Sequence, residues 1–455
     1  MIIIVGAGIT GLSAAFELAT RGVPFRVLEA SPRAGGLIRT EHVDGFTIEG
    51  GPDSVLAQKP AALELCEAVG LRPRLISTTP PRTAFVLKRG RLYRLPSPSV
   101  LGIPITLAGI AGYDLLSPAG RARLGLEAVV PRRADGDESV GSFFRRRFGQ
   151  ETVGLVAEPL LGGIHAGDID ALSMHSLFPR LVAAEARTGS ILRTFRRASS
   201  EGAPAGLFRS LAGGMSELVE ALERYLPPGS IRYGSPALEI APSGGMDSGW
   251  HVGTAEGAAN ANAVIVATPA HAAATLLRPI DSAAGDRCAE IPYVSTASVA
   301  LSWPRAAVRH PLQGSGFVVA RRYNTLRITA CTWVSSKWAG RAPAGFVLLR
   351  AFLGGSHDPG AVDLPDSEMV ATVVRELSLV LGIDGPPSLS RVTRWRRAGA
   401  QHNVGQIERV AAIEARLAAH AGLFVAGSGF RAVGIPDCVA DGRSAAARAA
   451  RCVKI

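Results

Sequence analysis

Three glycines near the start of the chain have the spacing of a dinucleotide phosphate-binding turn. Gly6, Gly8 and Gly11 follow the apolar residues 2–5 in the order G-x-G-x-x-G, and a helical pattern of apolar residues follows at once. The first glycine makes the tight turn, the second lets the backbone approach a pyrophosphate, and the third lets helix and strand pack closely. These glycines predict a phosphate site at a helix N-terminus, with an ordinary turn of another α/β protein as the alternative.

A carboxylate follows where a dinucleotide site needs one. The apolar residues 25–28 form a second predicted strand that ends at Glu29, about 20 residues beyond the glycine turn. A carboxylate at that point binds a ribose hydroxyl in sites of this kind. Gly35 and Gly36 follow in a loop, where the backbone must pass another group closely. These residues leave both NAD and FAD open as the ligand.

The composition indicates a large globular protein with a basic surface. The chain has 455 residues, of which 47% are hydrophobic, and this length suggests roughly two or three domains. The net charge is +11, but no helix-turn-helix, finger or base-stacking motif accompanies the basic runs, so we expect no nucleic-acid partner. Solvated arginine, an acidic small molecule and an anionic membrane surface remain open as explanations of the charge.

Targeting and metal signals are weak. The five cysteines are scattered without a C-x-x-C pair, and His165 and His175 have no third ligand, so we predict no disulfide framework and no metal site. A strand starting at residue 2 leaves no room for a signal peptide and favours the cytoplasm. Prolines interrupt the apolar residues 95–116, for which a buried or channel-lining helix and a monotopic membrane contact are both open.

The order of the predicted elements indicates an α/β fold with one domain built from three separate stretches. Residues 1–77, 207–284 and 391–455 carry buried strands and glycine-rich turns and are assigned to a Rossmann-like dinucleotide-binding domain. Residues 78–97 and 285–390 alternate like strands and form the sheet of a second, α+β substrate domain. Residues 98–206 are mostly helical and belong to that domain as a part that lines the substrate site or contacts a membrane. We expect the ligand in the cleft between the domains.

Longer motifs resemble the FAD-dependent porphyrinogen oxidases of haem synthesis, which belong to the amine-oxidase-like flavoproteins. The superfamily part of the resemblance is the glycine turn, Glu29 and the run EASPRAGG at residues 29–36. The more specific part consists of GPDSVLAQK (51–59), EPLLGGIHAGDIDALSMHSLFP (158–179), LAGGMSELVEAL (211–222) and AGSGFRAVGIPDCVADGRSAA (426–446). One departure lies at residues 400–406, where Gln401 and Gly405 of the family's P-Q-Y-x-x-G-H run remain and its Pro, Tyr and His are replaced.

The resemblance implies an oxidoreductase with bound FAD that oxidises a porphyrinogen and passes the electrons to dioxygen, forming hydrogen peroxide. The run GPDS followed by Lys59 favours coproporphyrinogen III over protoporphyrinogen IX. Another flavin amine oxidase or desaturase of the same superfamily is the alternative. The resemblance leaves open a monomer or a homodimer, in the cytoplasm or peripheral at the inner face of the membrane. No catalytic side chain is assigned, because the cofactor carries the chemistry.

The resemblance also implies which residues hold the ligands. Lys59 is expected to bind a substrate carboxylate, with a solvated lysine as the alternative. Gly167 is expected to let the macrocycle approach, with a plain turn as the alternative, and for Arg33 a surface salt bridge is the alternative. The residues implied for FAD are Gly6, Ala7, Gly8, Ile9, Thr10 and Gly11 at the pyrophosphate, Glu29 at the adenosine ribose, Arg33, Gly36 and Leu37 along the ribityl and phosphate side, Gly51, Pro52 and Asp53 beside the isoalloxazine, Ala237 at the adenine, and Val433, Gly434 and Ile435 at the head of the last helix against the flavin ring.

Overall fold

A five-stranded parallel sheet begins with the first residues of the chain. The computed structural model describes residues 1–132, 136–199, 206–243, 249–431 and 433–453. The strand order is Ile231–Arg232, Phe25–Leu28, Ile2–Val5, Ala263–Val266 and Leu423–Val425, and every neighbouring pair is parallel. Alternate residues of Ile2–Val5 pack into two different apolar clusters, so both faces of this β-branched strand are covered. The predicted α/β class is confirmed.

Helices lie on both faces of the parallel sheet. One face packs against Ile9–Thr20, Ala61–Ala68, Ser216–Tyr225 and Ile435–Ala450, and the other against Ala270–Leu277, Ser282–Ala289 and Gln406–Leu417. The first and last helices approach closely, since a Cβ built on Gly442 would lie 2.2 Å from the carbonyl oxygen of Thr10. Segments near the two ends of the sequence therefore meet beside the same sheet.

A seven-stranded sheet forms the second large layer. Its order is Leu389–Ala400, Tyr293–Pro304, Phe346–Gly354, Ala330–Trp333, Gly316–Val319, Ala84–Lys88 and Arg91–Arg94. Neighbours are antiparallel except Gly316–Val319 with Ala84–Lys88, and the helix Asp366–Leu381 packs on the sheet. Because Leu389–Ala400 pairs with Tyr293–Pro304, the predicted boundary at residue 391 cuts through a strand of this sheet. The division into domains otherwise stays a prediction.

Residues 98–199 are largely helical. The helices are Leu107–Ala111, Pro118–Gly125, Val140–Phe148, Gln150–Thr152, Gly163–His165, Met174–Leu177, Pro179–Thr188 and Ile191–Ser199, with a ten-residue π-helix at Val153–Gly162. Residues 95–116 hold the short pair Ser99–Val100 and Ile103–Pro104 followed by a five-residue helix, so of the two alternatives a buried or channel-lining helix through the whole stretch is wrong. Proline lacks the amide hydrogen that a continuous helix needs. None of the helices in the described part of the chain is long and apolar enough to cross a membrane.

A buried ion pair joins the helices of this segment. The side chains of Arg147 and Glu127 are both fully buried, and Arg147 Nε donates to Glu127 Oε1 at 3.0 Å. The other carboxylate oxygen of Glu127 accepts from the hydroxyl of Ser190 at 2.6 Å. Each charge therefore has its partners inside the core, as a buried charge requires.

Short elements complete the fold. The small sheets are Val55–Leu56 with Phe208–Leu211 and Leu75–Ser77, Glu239–Pro242 with Trp250–Thr254 and Gly257–Ala261, and Thr40–Val43 with Phe46–Glu49. Short helices lie at Arg72–Arg74, Leu126–Val129, Arg305–Ala307, Arg321–Tyr323, Val334–Lys337 and Pro359–Asp363.

Candidate active site

The phosphate turn, residues 6–11, has the geometry that its three glycines predict. Gly6 has φ of +101°, in the region that favours glycine. A Cβ on Gly11 would lie 1.9 Å from the carbonyl oxygen of Gly6, so the helix can pack here only with glycine. A Cβ on Gly8 would have no atom of the described residues within 4 Å and would project into open space. The turn thus keeps free the space that a phosphate needs.

The helix Ile9–Thr20 begins at Gly8, and within the described structure no side chain caps its N-terminus. The first amide groups of a helix have no partner within it and carry a partial positive charge. Ala7, Ile9 and Thr10 lie in or beside this turn, as the sequence predicts. An uncapped N-terminus beside open space is the arrangement that binds a pyrophosphate.

Glu29 lies directly after the strand Phe25–Leu28 and is fixed against the phosphate turn. Its two carboxylate oxygens accept hydrogen bonds from the amides of Ala7 at 2.6 Å and Ser31 at 2.8 Å. The carbonyl of Glu29 accepts from the amide of Ser235 at 2.9 Å, so the segment that carries Ala237 runs beside it. Ala237 is half-buried. The residues expected at the adenosine end of FAD therefore adjoin one another.

The loop after Glu29 passes directly over the phosphate turn. Arg33 donates from its guanidinium to the carbonyls of Ala34, Gly36 and Ile38 at 2.9, 2.6 and 3.0 Å. It shapes this loop rather than forming the surface salt bridge that was the alternative. A Cβ on Gly36 would lie 3.2 Å from Cα of Gly8. The absence of a side chain at Gly36 therefore lets the loop lie against the turn.

The last helix, Ile435–Ala450, begins at Gly434 beside the first helix. The Asp437 carboxylate accepts a hydrogen bond from the amide of Gly434 at 3.3 Å. Both of its oxygens also accept from Lys59 Nζ, at 2.7 and 2.8 Å. Val433 is partly exposed just before this helix. The Lys59 side chain is 44% exposed, and its ammonium is paired with Asp437 at the head of the last helix.

A cavity of about 600 Å³ lies between the large sheet, the π-helix and the loop that carries Gly51. A Cβ on Gly51 would lie 1.8 Å from the carbonyl oxygen of Leu37, which holds these two loops together at the cavity edge. The wall is mainly apolar; its charged or titratable residues are Asp53, Glu158, Arg321, Lys337, Arg350 and His357. Lys59 is not among the described residues that line it, whereas Leu37, Gly51, Pro52, Asp53 and Gly167 are.

Asp53 anchors a charged cluster at one end of the cavity. Its Oδ2 accepts from Lys337 Nζ at 2.8 Å and from Trp338 Nε1 at 3.3 Å, and its Oδ1 accepts from the hydroxyl of Ser54 at 2.6 Å. Burial alone would raise the pKa of Asp53, but Lys337 and these hydrogen bonds outweigh it and hold the pKa well below its usual range. Asp53 and Lys337 therefore form an ion pair in the cavity wall.

Arg350 extends this cluster across the sheet. It is 7% exposed, donates to the carbonyl of Gly50 at 3.1 Å and stacks on Phe352. Burial lowers the pKa of Arg350, while Asp53 opposes that shift. The same carbonyl of Gly50 accepts from Trp395 Nε1 at 2.7 Å. Two side chains of the sheet, Arg350 and Trp395, therefore bind the loop 50–54 through hydrogen bonds to one backbone oxygen.

A second charged cluster surrounds Glu158 of the π-helix. Glu158 accepts from Arg321 at 3.2 Å and lies 3.8 Å from Arg322. Burial lowers the pKa of His357, and the positive charge of Arg321 lowers it further. An insertion into a regular helix often marks a functional site, and here the π-helix turns Glu158 and Leu160 toward the cavity.

Gly167 is a glycine because a buried glutamine fills the space beside it. A Cβ there would lie 2.2 Å from Gln401 Oε1. Gln401 is 4% exposed, and its Nε2 donates to the carbonyl of His165 at 3.0 Å. The expectation that Gly167 gives room to the substrate stays a prediction, since the displaced atom belongs to the protein.

The departure at 400–406 forms a link between the helical segment and the tail. His402 Nε2 donates to the carbonyl of Ser428 at 2.8 Å, and Nδ1 accepts from the hydroxyl of Ser176 at 2.9 Å. This tautomer is neutral, and burial lowers the pKa of His402. The replaced residues therefore still fix the loop before the last helix.

Comparison with known proteins decides the family. The pattern of flavin containing amine oxidoreductases matches residues 9–450. The chain belongs to this family. FAD is the flavin of the superfamily, so the predictions of a flavoprotein oxidoreductase and of FAD are confirmed. The uncapped helix N-terminus, the open space at Gly8 and the fixed carboxylate of Glu29 fit this cofactor.

Named relatives extend over nearly the whole chain. Coproporphyrinogen III oxidase of Bacillus subtilis is 36% identical, covering 98% of this chain and 96% of that protein. Protoporphyrinogen oxidase 1 of Spinacia oleracea chloroplasts is 30% identical, covering 98% and 83%. A crystal structure described as a putative protoporphyrinogen oxidase from Exiguobacterium has a TM-score of 0.87 at 33% identity, covering 98% and 97%. The resemblance to porphyrinogen oxidases is confirmed.

Proposed function

We propose that this protein oxidises a porphyrinogen to a porphyrin in haem synthesis, with coproporphyrinogen III favoured and protoporphyrinogen IX as the second substrate. The observation that carries the proposal is the cavity of about 600 Å³ with mainly apolar walls and charged clusters within it. An apolar macrocycle with carboxylate side chains needs such a site, because apolar walls bury the rings and cations meet the carboxylates. The names of the relatives favour the same substrate class.

Oxidation of a porphyrinogen needs few acid or base side chains, because the cofactor carries the chemistry. Bound FAD would accept hydrogen from a bridge carbon between two pyrroles, two electrons in each cycle, and pass the electrons to dioxygen to give hydrogen peroxide. The six-electron change to a porphyrin then needs repeated cycles, so the protein must hold and orient the macrocycle throughout. The apolar wall excludes water from it.

One side chain can take up a pyrrole proton. His357 lines the cavity, and burial together with Arg321 lowers the pKa of its imidazole, so the ring is neutral near pH 7. A neutral imidazole has one nitrogen free to accept a proton, and the lowered pKa favours release of that proton again.

The test is anaerobic mixing of the FAD-loaded protein with each porphyrinogen. We expect the visible absorbance of the flavin to bleach, and admission of oxygen to restore it with equimolar peroxide and rising porphyrin fluorescence. If neither porphyrinogen bleaches the flavin but an amine does, the chain is an amine oxidase of the same family and the proposal is wrong. Comparison of both porphyrinogens with and without detergent also tests the substrate preference and the predicted membrane contact.

A further inference from the structure

The two charged clusters of the cavity lie at opposite ends of it. Phe352, Ala330 and Val318 lie in one row across the large sheet, and the strands of Phe352 and Val318 run in the same direction. Arg350 precedes this row by two residues on its strand, and Arg321 lies beyond the other side of the row, in the short helix that follows the strand Gly316–Val319. A ligand that fills the cavity therefore meets a cationic group at each end.

Arg321 can bind a ligand carboxylate in addition to Glu158. Glu158 is shared by Arg321 at 3.2 Å and Arg322 at 3.8 Å, so among the described residues neither guanidinium has an ion-pair partner of its own. The side chain of Arg321 is 27% exposed and lines the cavity, whereas at the other end Lys337 pairs with Asp53 and Arg350 is 7% exposed. A guanidinium binds carboxylates with two parallel hydrogen bonds and can hold a second one beside Glu158.

The two porphyrinogens differ at one edge of the macrocycle. Both carry two neighbouring propionates on one edge, while the opposite edge carries propionates in coproporphyrinogen III and vinyl groups in protoporphyrinogen IX. A site built to hydrogen-bond a polar group rejects an analogue that lacks it, because its own polar atoms are then left unpaired. A cation at the second edge therefore discriminates between these substrates.

Resting on the proposed function, we propose that Arg321 binds a propionate on the edge where the two substrates differ and so selects coproporphyrinogen III. Glu158 holds the guanidinium in place before substrate arrives and competes with the propionate for it. Removal of Arg321 should therefore weaken substrate binding, and removal of the charge of Glu158 should strengthen it. Opposite effects at two residues in contact are not expected from a merely structural role.

The test compares the steady-state kinetics of both porphyrinogens for wild-type, Arg321→Gln, Arg321→Lys and Glu158→Gln proteins. Arg278→Gln is the matched control, since Arg278 forms an exposed pair with Asp286 at 2.9 Å. We expect Arg321→Gln to raise KM for coproporphyrinogen III about 10-fold or more, the loss of one charge-assisted hydrogen bond, with flavin content near wild type. Its KM for protoporphyrinogen IX should change less than about threefold, the lysine variant should be intermediate, and Glu158→Gln should lower KM for coproporphyrinogen III.

The outcomes separate the two proposals. Equal changes for both substrates in Arg321→Gln, or no change in either, overturn the role of Arg321 while an active wild type keeps the proposed function. A wild type that oxidises neither porphyrinogen overturns the proposed function, and the role of Arg321 falls with it. If Arg321→Gln fails to fold, the sign of the KM change in Glu158→Gln decides, and an increase overturns the proposal.

Discussion

Replacement of Gly11 by alanine tests whether the phosphate turn depends on contact between the first helix and the first strand. The new methyl carbon would lie 1.9 Å from the Gly6 carbonyl oxygen and 3.3 Å from Cγ2 of Ile4. An ordinary contact needs roughly 3.5 Å, so the helix must shift by about 1.5 Å. Because the central strand is fully buried, it cannot move away, and overpacking of this kind costs about 1–3 kcal/mol. We expect the upper end of that range, since the obstacle is backbone, together with loss of FAD.

The assay pairs thermal unfolding of the apoprotein with the FAD-to-protein ratio of the purified protein. Gly8→Ala is the matched control, because a Cβ there meets no atom of the described residues within 4 Å and its φ of −65° suits alanine. This control should lose FAD, whose phosphate takes that space, but should unfold within about 0.5 kcal/mol of wild-type apoprotein. The reasoning is refuted if Gly11→Ala keeps FAD and wild-type stability, or if Gly8→Ala destabilises the apoprotein as much.

Three further changes test the cavity and the core. Lys337→Met removes the ion-pair partner of Asp53, whose side chain is 19% exposed and keeps its hydrogen bonds from Trp338 and Ser54, and should lower the unfolding free energy at pH 7 by about 1–3 kcal/mol. The pKa of Asp53 is lower in the folded protein than in the unfolded chain, so its ionised form stabilises the fold, and this contribution is lost as the pH falls through the folded pKa. The variant lacks this contribution, so in an acid titration we expect it to unfold at a higher pH than wild type. Gly167→Ala should lower activity by displacing Gln401, and Gly167→Ala with Gln401→Ala should recover part of it; equal loss in the double variant would contradict this contact. Arg147→Met should cost about 3–5 kcal/mol by leaving a buried glutamate unpaired, and calorimetry without a fall in Tm would show the pair to be dispensable.

The nucleotide-binding elements follow from local sequence. The strand Ile2–Val5 is β-branched throughout, and the glycine spacing beyond it leaves little choice of backbone. The helices Asp366–Leu381 and Ser216–Tyr225 likewise carry apolar residues at helical spacing. Periodicity of this kind is contained within one element and needs no knowledge of its neighbours.

Pairing between distant segments does not follow from local sequence. The strand Leu389–Ala400 has no strict alternation, since it carries arginines toward exposed positions and tryptophan toward the cavity, and only its partner Tyr293–Pro304 shows to which sheet it belongs. The π-helix Val153–Gly162 likewise reads as an ordinary apolar helix in sequence.

The lysines show why charge alone does not locate a binding site. Lys59 follows a family motif and was the expected carboxylate ligand, yet its ammonium is taken up by Asp437, which lies 378 residues away in sequence. No sequence motif predicts a role for Lys337, but its side chain lines the cavity, where it is bound by Asp53 of a glycine-rich loop. A cation reaches a cavity only when its partner is placed there too, and that partner comes from another part of the fold. The neighbouring glycines of residues 50–51 were the usable signal, because a loop that approaches a sheet closely also brings the next residues, Pro52 and Asp53, into the site.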